Sequence, residues 1–379
     1  MRVMVFGTYD TTVHPRVGIL VEGLQRQGVD VVVCNAALDQ EDLSSARPPR
    51  NRQGGSRTKA RVRHAARLGQ LAARARRLPK PDAVLCGYRG RVDIQVARRL
   101  FPHVPLVLDH LESVDDVADR TGRAPRAGLR LAMRVEASAI RAADLVLVDT
   151  EEHRRMLAPA DRQRAVVVPI GAAPHWFDAG RDVGADLEPA PEPASTEHPL
   201  RIVAYGLYSP VQGAPVIGAA LRQLDGYPLA VTMVGRGLQL QRTRDLVGQD
   251  PRVRWHAWVP GSELPRLVAR HDVCLGVFGT GAKALRVVPN KVFQGAAAGC
   301  AIVTSDTAPQ HRLLGGAARF VPAGNPDALA DTLRRLAGHP AEVARLRGAA
   351  VELARERFTP QSVVEPLVER LELMVGKGS

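Results

Sequence analysis

The chain has 379 residues, 45% of them apolar and only 4% aromatic, with a formal charge of +13. That length exceeds one ordinary core and suits two domains, while a core of Val, Leu, Ile and Ala favours covered parallel sheets over an all-β sandwich. No apolar run reaches the length of a membrane span, and four scattered cysteines (Cys34, Cys86, Cys274, Cys300) without a CxxC pair exclude a disulfide framework or zinc ribbon and read as buried, reduced thiols.

Arg2 to Phe6 reads as a buried strand that enters at once, without a leader pattern, so a cytoplasmic protein is expected. Gly7 opens a turn, Val17, Leu20, Val21 and Leu24 recur at helical spacing, and Val29 to Val33 is the next strand. The charge is concentrated just beyond that strand. Twelve cations from Arg47 to Lys80 meet no Asp or Glu, which leaves the rest of the chain close to neutral. Val62, Ala65, Leu68, Leu71, Ala72 and Ala75 sit there at helical spacing. An anionic membrane or acidic partner is one reading. A surface loop running into a sheet-packing helix is favoured, because a mostly alanine face inserts weakly.

Val84 to Cys86, Leu106 to Leu108, Leu145 to Val148 and Val166 to Pro169 continue the strands, separated by helical patterns, as in a doubly wound parallel sheet. From Arg181 to Pro199 the pattern stops, and Pro189, Pro191, Pro193 and Pro199 mark a linker. A second series of strands occupies Ile202 to Ala204, Val231 to Val234, Val253 to Trp255, Val273 to Val277, Ile302 to Thr304 and Phe320-Val321. The expected organisation is α/β, with one Rossmann-like domain over 1–180, a linker over 181–199, a second such domain over 200–359 and a last helix over 360–379.

Chemistry is densest between Phe278 and Gly299. A glycine turn, Phe278-Gly279-Thr280, is followed by Lys283, Arg286 and a helix start at Pro289-Asn290-Lys291, with Asn290 as the expected cap. Turn, cations and helix N-terminus together suit a diphosphate.

With Tyr205-Gly206-Leu207-Tyr208-Ser209-Pro210-Val211-Gln212-Gly213, this segment resembles family 4 glycosyltransferases of the GT-B fold, in an actinobacterial-type branch. Gly7-Thr8-Tyr9, Gly87-Tyr88, Asp109, Ala142-Ala143-Asp144, the Val231 to Gly237 turn and Trp258-Val259 fall where that branch has them. The resemblance implies two Rossmann-like domains facing a cleft, the acceptor on the first and the nucleotide sugar on the second, with the last helix returning to the first domain. It also implies retention, no metal and no cofactor beyond the nucleotide sugar donor.

Carried over residue by residue, donor contacts fall on Gly206, Tyr208, Gln212, Gly235, Arg236, Trp258, Val259, Phe278, Gly279, Thr280, Lys283, Asn290 and Gln294. The family's cations on the first loop of the second domain are here Leu207 and Gln212, which shifts the diphosphate to Lys283, Arg286 and Lys291. Its paired glutamates become Arg286 and Gln294, and Gln294 can still serve a ribose.

In the first domain, residues just past a strand end, the carboxylates Asp109, Glu112, Asp115 and Asp119 together with His110, suit hydroxyl binding or proton abstraction. Gly7, Thr8, Tyr9, His14 and Arg16 form the first loop, expected to line the acceptor side. The catalytic candidates are Asp109, His110, Arg286 and Lys291.

The function expected is sugar transfer to a small-molecule acceptor. Alternatives are a nucleotide-sugar epimerase of the same architecture, a membrane-associated transferase on a lipid-linked acceptor, and a nucleic-acid or membrane module driven by the basic segment. Nucleic-acid partnership is not expected, and membrane contact only through residues 47–80.

Overall fold

The computed structural model describes residues 1–9, 15–36, 55–87, 90–114, 116, 126–184 and 192–376, with 55–62, 126–128 and 184 by backbone alone. The chain forms two compact units. One comprises Met1–Val114, Arg126–Val168 and Val363–Ser379, the other Asp115–Pro125 and Pro169–Ser362. Each is an α/β unit around one six-stranded parallel sheet, the fold class expected from the alternating pattern.

The first sheet is built from β1 (Arg2–Gly7), β2 (Asp30–Asn35), β3 (Ala83–Cys86), β4 (Leu106–Asp109), β5 (Leu145–Val148) and β6 (Ala165–Val167), ordered β2-β1-β3-β4-β5-β6. Strands β3, β4 and β5 are buried at every position, which is why they read as unbroken apolar runs rather than alternating ones. Helices Gly55–Ala75, Asp93–Leu100 and Arg126–Ala142 cover one face: Leu71, Ala75, Ile94, Ala97 and Ala139 join a core with Met4 and Phe6 of β1. Leu71 and Ala75 thus do what the sheet-packing reading of the basic helix requires.

The second sheet comprises β7 (Leu200–Gly206), β8 (Leu229–Gly235), β9 (Val253–His256), β10 (Val273–Leu275), β11 (Ala301–Ser305) and β12 (Ala318–Val321), ordered β12-β11-β10-β7-β8-β9. Its core joins Ile202, Ala204, Met233, Leu275 and Val303 to Ile217, Leu221, Leu329 and Leu333 of the flanking helices. Helix Pro174–Gly184 extends into the stretch expected as linker. All four cysteines are buried free thiols, as their apolar surroundings led us to expect.

Candidate functional site

In the second sheet the chain leaves β7 toward β8 and β9, then crosses back to β10 on the other side. Such a reversal opens a crevice at the carboxyl ends of the two strands, the usual ligand position in open α/β sheets. Tyr205 and Gly206 end β7 there, and Phe278 and Gly279 follow β10.

The turn after β7 fits its neighbours only because glycines carry it. Gly213 has φ 63°, and a Cβ on it would stand 2.4 Å from the Gly279 nitrogen. Gly235 has φ 129°, with its would-be Cβ 1.9 Å from the Gly206 carbonyl oxygen. Both conditions, left-handed backbone and lack of space, exclude a side chain. Tyr208 adopts φ 47°, the one positive φ outside glycine among the described residues, and is buried. Its hydroxyl has no partner among the described residues, and burial pushes its phenol pKa up.

Lys291 lies at the centre of this turn. It is the second residue of helix Asn290–Ala297, which Pro289 rather than Asn290 precedes as cap, with no side-chain cap bond. The expectation that Asn290 caps the helix is therefore corrected: the chain reaches Pro289 in extended backbone, and Asn290 is already helical. Lys291 is 6% exposed. Its ammonium donates to Gln212 Oε1 at 3.1 Å and lies 5.9 Å from the Tyr205 ring centroid. No carboxylate pairs with it among the described residues, and burial lowers its pKa from 10.5 to about 8. A buried ammonium held by one neutral amide oxygen is an incomplete ion pair.

Tyr205 organises the other side. Its hydroxyl donates to Gln294 Oε1 at 3.1 Å, and its ring stacks on Trp176 at 6.1 Å. Gln294 thus spends one acceptor inside the protein and keeps its amide N–H groups for a ligand. Neither Tyr205 nor Trp176 stood among the expected site residues. Tyr205 stood only as the first residue of the Tyr205–Gly213 motif, and Trp176, shortly after the Pro169-Ile170-Gly171 turn, reads as packing at least as well as a site residue.

Further along the sheet edge, the Arg236 guanidinium lies 5.3 Å over the Trp258 ring. Trp258 is 64% exposed, a large flat apolar surface beside the β8 turn, and Val259 is half-buried. Phe278 and Gly279 are buried and Thr280 is exposed. Arg286 Nη2 meets Asp116 Oδ1 at 2.7 Å, and Lys283 Nζ lies 3.9 Å from Asp116 Oδ2. The three cations of the segment therefore form two groups: Lys283 and Arg286 share Asp116, whereas Lys291 sits alone with Gln212.

In the first unit, the sequence candidates form a buried charge cluster. Arg16 Nε donates to Asp109 Oδ1 at 2.9 Å and Oδ2 at 3.2 Å, with side chains 4% and 0% exposed. Burial raises the Asp109 pKa, and the Arg16 charge opposes that shift. Asp109 is thus a structural anion, and neither it nor Arg16 stands free for an acceptor in this arrangement. His110 Nε2 lies 2.9 Å from Glu136 Oε1, and His153 Nδ1 lies 3.0 Å from Asp149 Oδ1. A carboxylate only accepts, so each ring nitrogen carries the proton toward it.

Burial raises both acids, but their histidine bonds and the nearby arginines outweigh it, so Glu136 and Asp149 end below the usual range. His110 Nδ1 and His153 Nε2 are buried without a partner among the described residues, their rings 5.2 Å apart. Glu136, Asp149 and His153 were not foreseen: Glu136 is a lone acid in the middle of helix Arg126–Ala142, and Asp149 and His153 flank the start of helix Glu151–Met156, where polar residues are ordinary.

Thr8 donates its backbone N–H to Asp93 Oδ2 at 2.8 Å, and its hydroxyl lies 3.1 Å from the same oxygen. Asp93 thereby ties the Gly7-Thr8-Tyr9 loop, and Tyr9 is buried beneath it. Glu112 is half-buried, and its carbonyl accepts from Arg91. His14, Asp115 and Asp119 lie outside the described residues.

Residues 217–369 match the family model described as glycosyl transferase-like, so the second unit carries a glycosyltransferase-like domain. No curated protein matches the chain by sequence. Solved structures do. HepE of Anabaena in complex with UDP-glucose is 15% identical with TM-score 0.68, covering 98% of this chain and all of its own. Sucrose-phosphate synthase of Thermosynechococcus elongatus is 16% identical with TM-score 0.70 and full coverage of both chains. The UDP-forming α,α-trehalose-phosphate synthase of Burkholderia vietnamiensis is 13% identical with TM-score 0.67, covering all of this chain and 98% of its own. At such identities the likeness defines the fold, which is GT-B.

Proposed function

We propose that this protein is a glycosyltransferase that binds a nucleoside diphosphate sugar on its second unit and passes the sugar to a small-molecule acceptor. The observation that carries this reading is Lys291, a buried ammonium with no carboxylate partner among the described residues, at the crevice between β7 and β10. The donor's diphosphate supplies the missing charge, and the start of helix Asn290–Ala297 adds its dipole. The exposed Trp258 face beside Gly235-Arg236-Gly237 suits a base, and the Gln294 amide suits ribose hydroxyls.

In this account, charge grows on the leaving diphosphate as the glycosidic bond breaks. Lys291 and the helix N-terminus are already oriented toward it, so little reorganisation is required at the moment of reaction. Transfer proceeds with retention: the leaving phosphate takes the acceptor's proton on the same face. That route needs no protein base, and the candidate base Asp109 is held by Arg16 rather than poised for proton transfer. Membership of family 4, which the order of motifs supports, belongs to this reading too.

Because HepE was crystallised with UDP-glucose, UDP-glucose is the first donor to try, beside GDP- and dTDP-sugars. A ligand that binds only the folded state raises the melting temperature by mass action. At least one nucleotide sugar should do so and be consumed with an acceptor. Absence of any nucleotide-dependent shift would overturn the assignment.

A further inference from the structure

The first unit carries a feature that sugar transfer does not use. Helices Gly55–Ala75, Asp93–Leu100 and Arg126–Ala142 lie side by side on one face of its sheet, the short helix in the middle. Their outward side is cationic: Arg74, Arg99, Arg130, Arg134 and Arg141 are all exposed. None of these five has an ion pair among the described residues. Asp93 and Glu136 are the sole acids in the three helices. Both are turned inward, Asp93 onto Thr8 and Glu136 onto His110 and Arg91. Arg76, Arg77 and Lys80, exposed just beyond the first helix, extend the same charge.

Apolar side chains interrupt this surface at one place. Leu131 is 65% exposed and Met133 48% exposed, between Arg130 and Arg134. Arg130, Arg134 and Arg141 share one stripe of their helix by spacing, so cations and exposed apolar groups stand next to each other.

We infer that this three-helix face docks on an anionic lipid surface, the arginines meeting lipid headgroups while Leu131 and Met133 enter the acyl boundary. Charge complementarity requires an anionic partner, and two facts favour lipid over nucleic acid. Exposed Leu and Met amid the arginines gain from an apolar boundary and nothing from a phosphodiester backbone. The three helices hold no Phe, Tyr or Trp on which bases stack. The alanine-rich basic helix inserts weakly by itself; helix Arg126–Ala142, on the far side of Asp93–Leu100, supplies the apolar side chains it lacks. Attachment is therefore peripheral and reversible by salt.

The test is flotation of the full-length protein with vesicles of phosphatidylcholine alone or with about 30% phosphatidylglycerol, alongside anisotropy with a short oligonucleotide. Binding is expected on the anionic vesicles only, decreasing as salt rises. Arg130→Gln/Arg134→Gln/Arg141→Gln should weaken it about a hundredfold. Leu131→Ser/Met133→Ser should weaken vesicle binding about tenfold while leaving any oligonucleotide binding unchanged. All five positions are exposed, and circular dichroism checks that both variants fold. Equal binding to neutral vesicles, tighter binding to the oligonucleotide than to anionic vesicles, or no loss with the Leu131/Met133 variant would each overturn the inference.

Discussion

Lys291 Nζ donates to Gln212 Oε1 at 3.1 Å, and the two side chains come from opposite sides of the crevice at β7 and β10. An uncharged residue on the turn and a cation on the helix thus occupy one position, so the positive charge of this site comes from behind the turn rather than from it.

Gln212→Glu would complete the ion pair within the protein. The Lys291 pKa should rise and the chain become more stable. The donor must then compete with an internal carboxylate, and nucleotide affinity should fall by about tenfold or more, read by calorimetry. Unchanged affinity would mean that the diphosphate does not meet Lys291.

Donor affinity should depend on pH in a specific direction. Lys291 in the free protein titrates at about 8, and a bound diphosphate favours its charged form. Below about pH 8 the ammonium is present with or without donor, so affinity is flat; above it, affinity falls up to about tenfold per pH unit. A Kd that stays constant from pH 7 to about 9.5 would count against the assignment.

Gly235→Ala tests the packing of the turn. Its Cβ would need the space of the Gly206 carbonyl at a φ of 129°. The expected cost is about 2–4 kcal/mol in denaturant unfolding, with loss of nucleotide binding because the Gly206 turn is displaced. A cost below about 1 kcal/mol would show that the turn can yield.

In the first unit, Arg16→Leu leaves the Asp109 carboxylate buried without its cation and should cost about 3–5 kcal/mol. Arg16→Leu/Asp109→Leu should recover much of that loss, and the double-mutant cycle measures the coupling. If Asp109→Asn keeps more than about a tenth of wild-type turnover, Asp109 is a structural anion, as its geometry indicates.

Much of this was legible in the sequence, for identifiable reasons. Strands β3, β4 and β5 are buried on both faces and so appear as short apolar runs, and the alternation with helices gives a parallel sheet directly. Lys291 was found because a glycine turn, cations and a helix start coincide within a short stretch, and Gln212 and Gln294 through the family resemblance. Tyr205 and Trp176 were missed because an aromatic at a strand end or loop reads as packing until its hydroxyl or ring partner is known.

The cluster of Arg16, Asp109, His110, Glu136, Asp149 and His153 joins residues far apart in sequence, and a single sequence holds no record of such pairs. Asp109 and His110 were therefore expected as free participants, although Asp109 is held by Arg16 and His110 Nε2 by Glu136, each from another element. Likewise, exposed Leu131 and Met133 sit on a helix that reads as ordinary amphipathic sequence, and its place on the same face as the basic helix emerges only in the fold.

The central claim is that Lys291 is kept buried, at a cost in stability, in order to bind the donor diphosphate. A pKa lowered from 10.5 to about 8 corresponds to a penalty of about 3 kcal/mol at neutral pH. Between those values the folded chain binds fewer protons than the unfolded one, so stability rises with pH through that window, and the penalty is complete below it. The most direct test is Lys291→Met, melted with and without nucleotide sugar. The account predicts a variant about 1–3 kcal/mol more stable than wild type, without the rise above pH 8 and without any nucleotide-induced shift. A less stable variant that keeps the full nucleotide shift would contradict it.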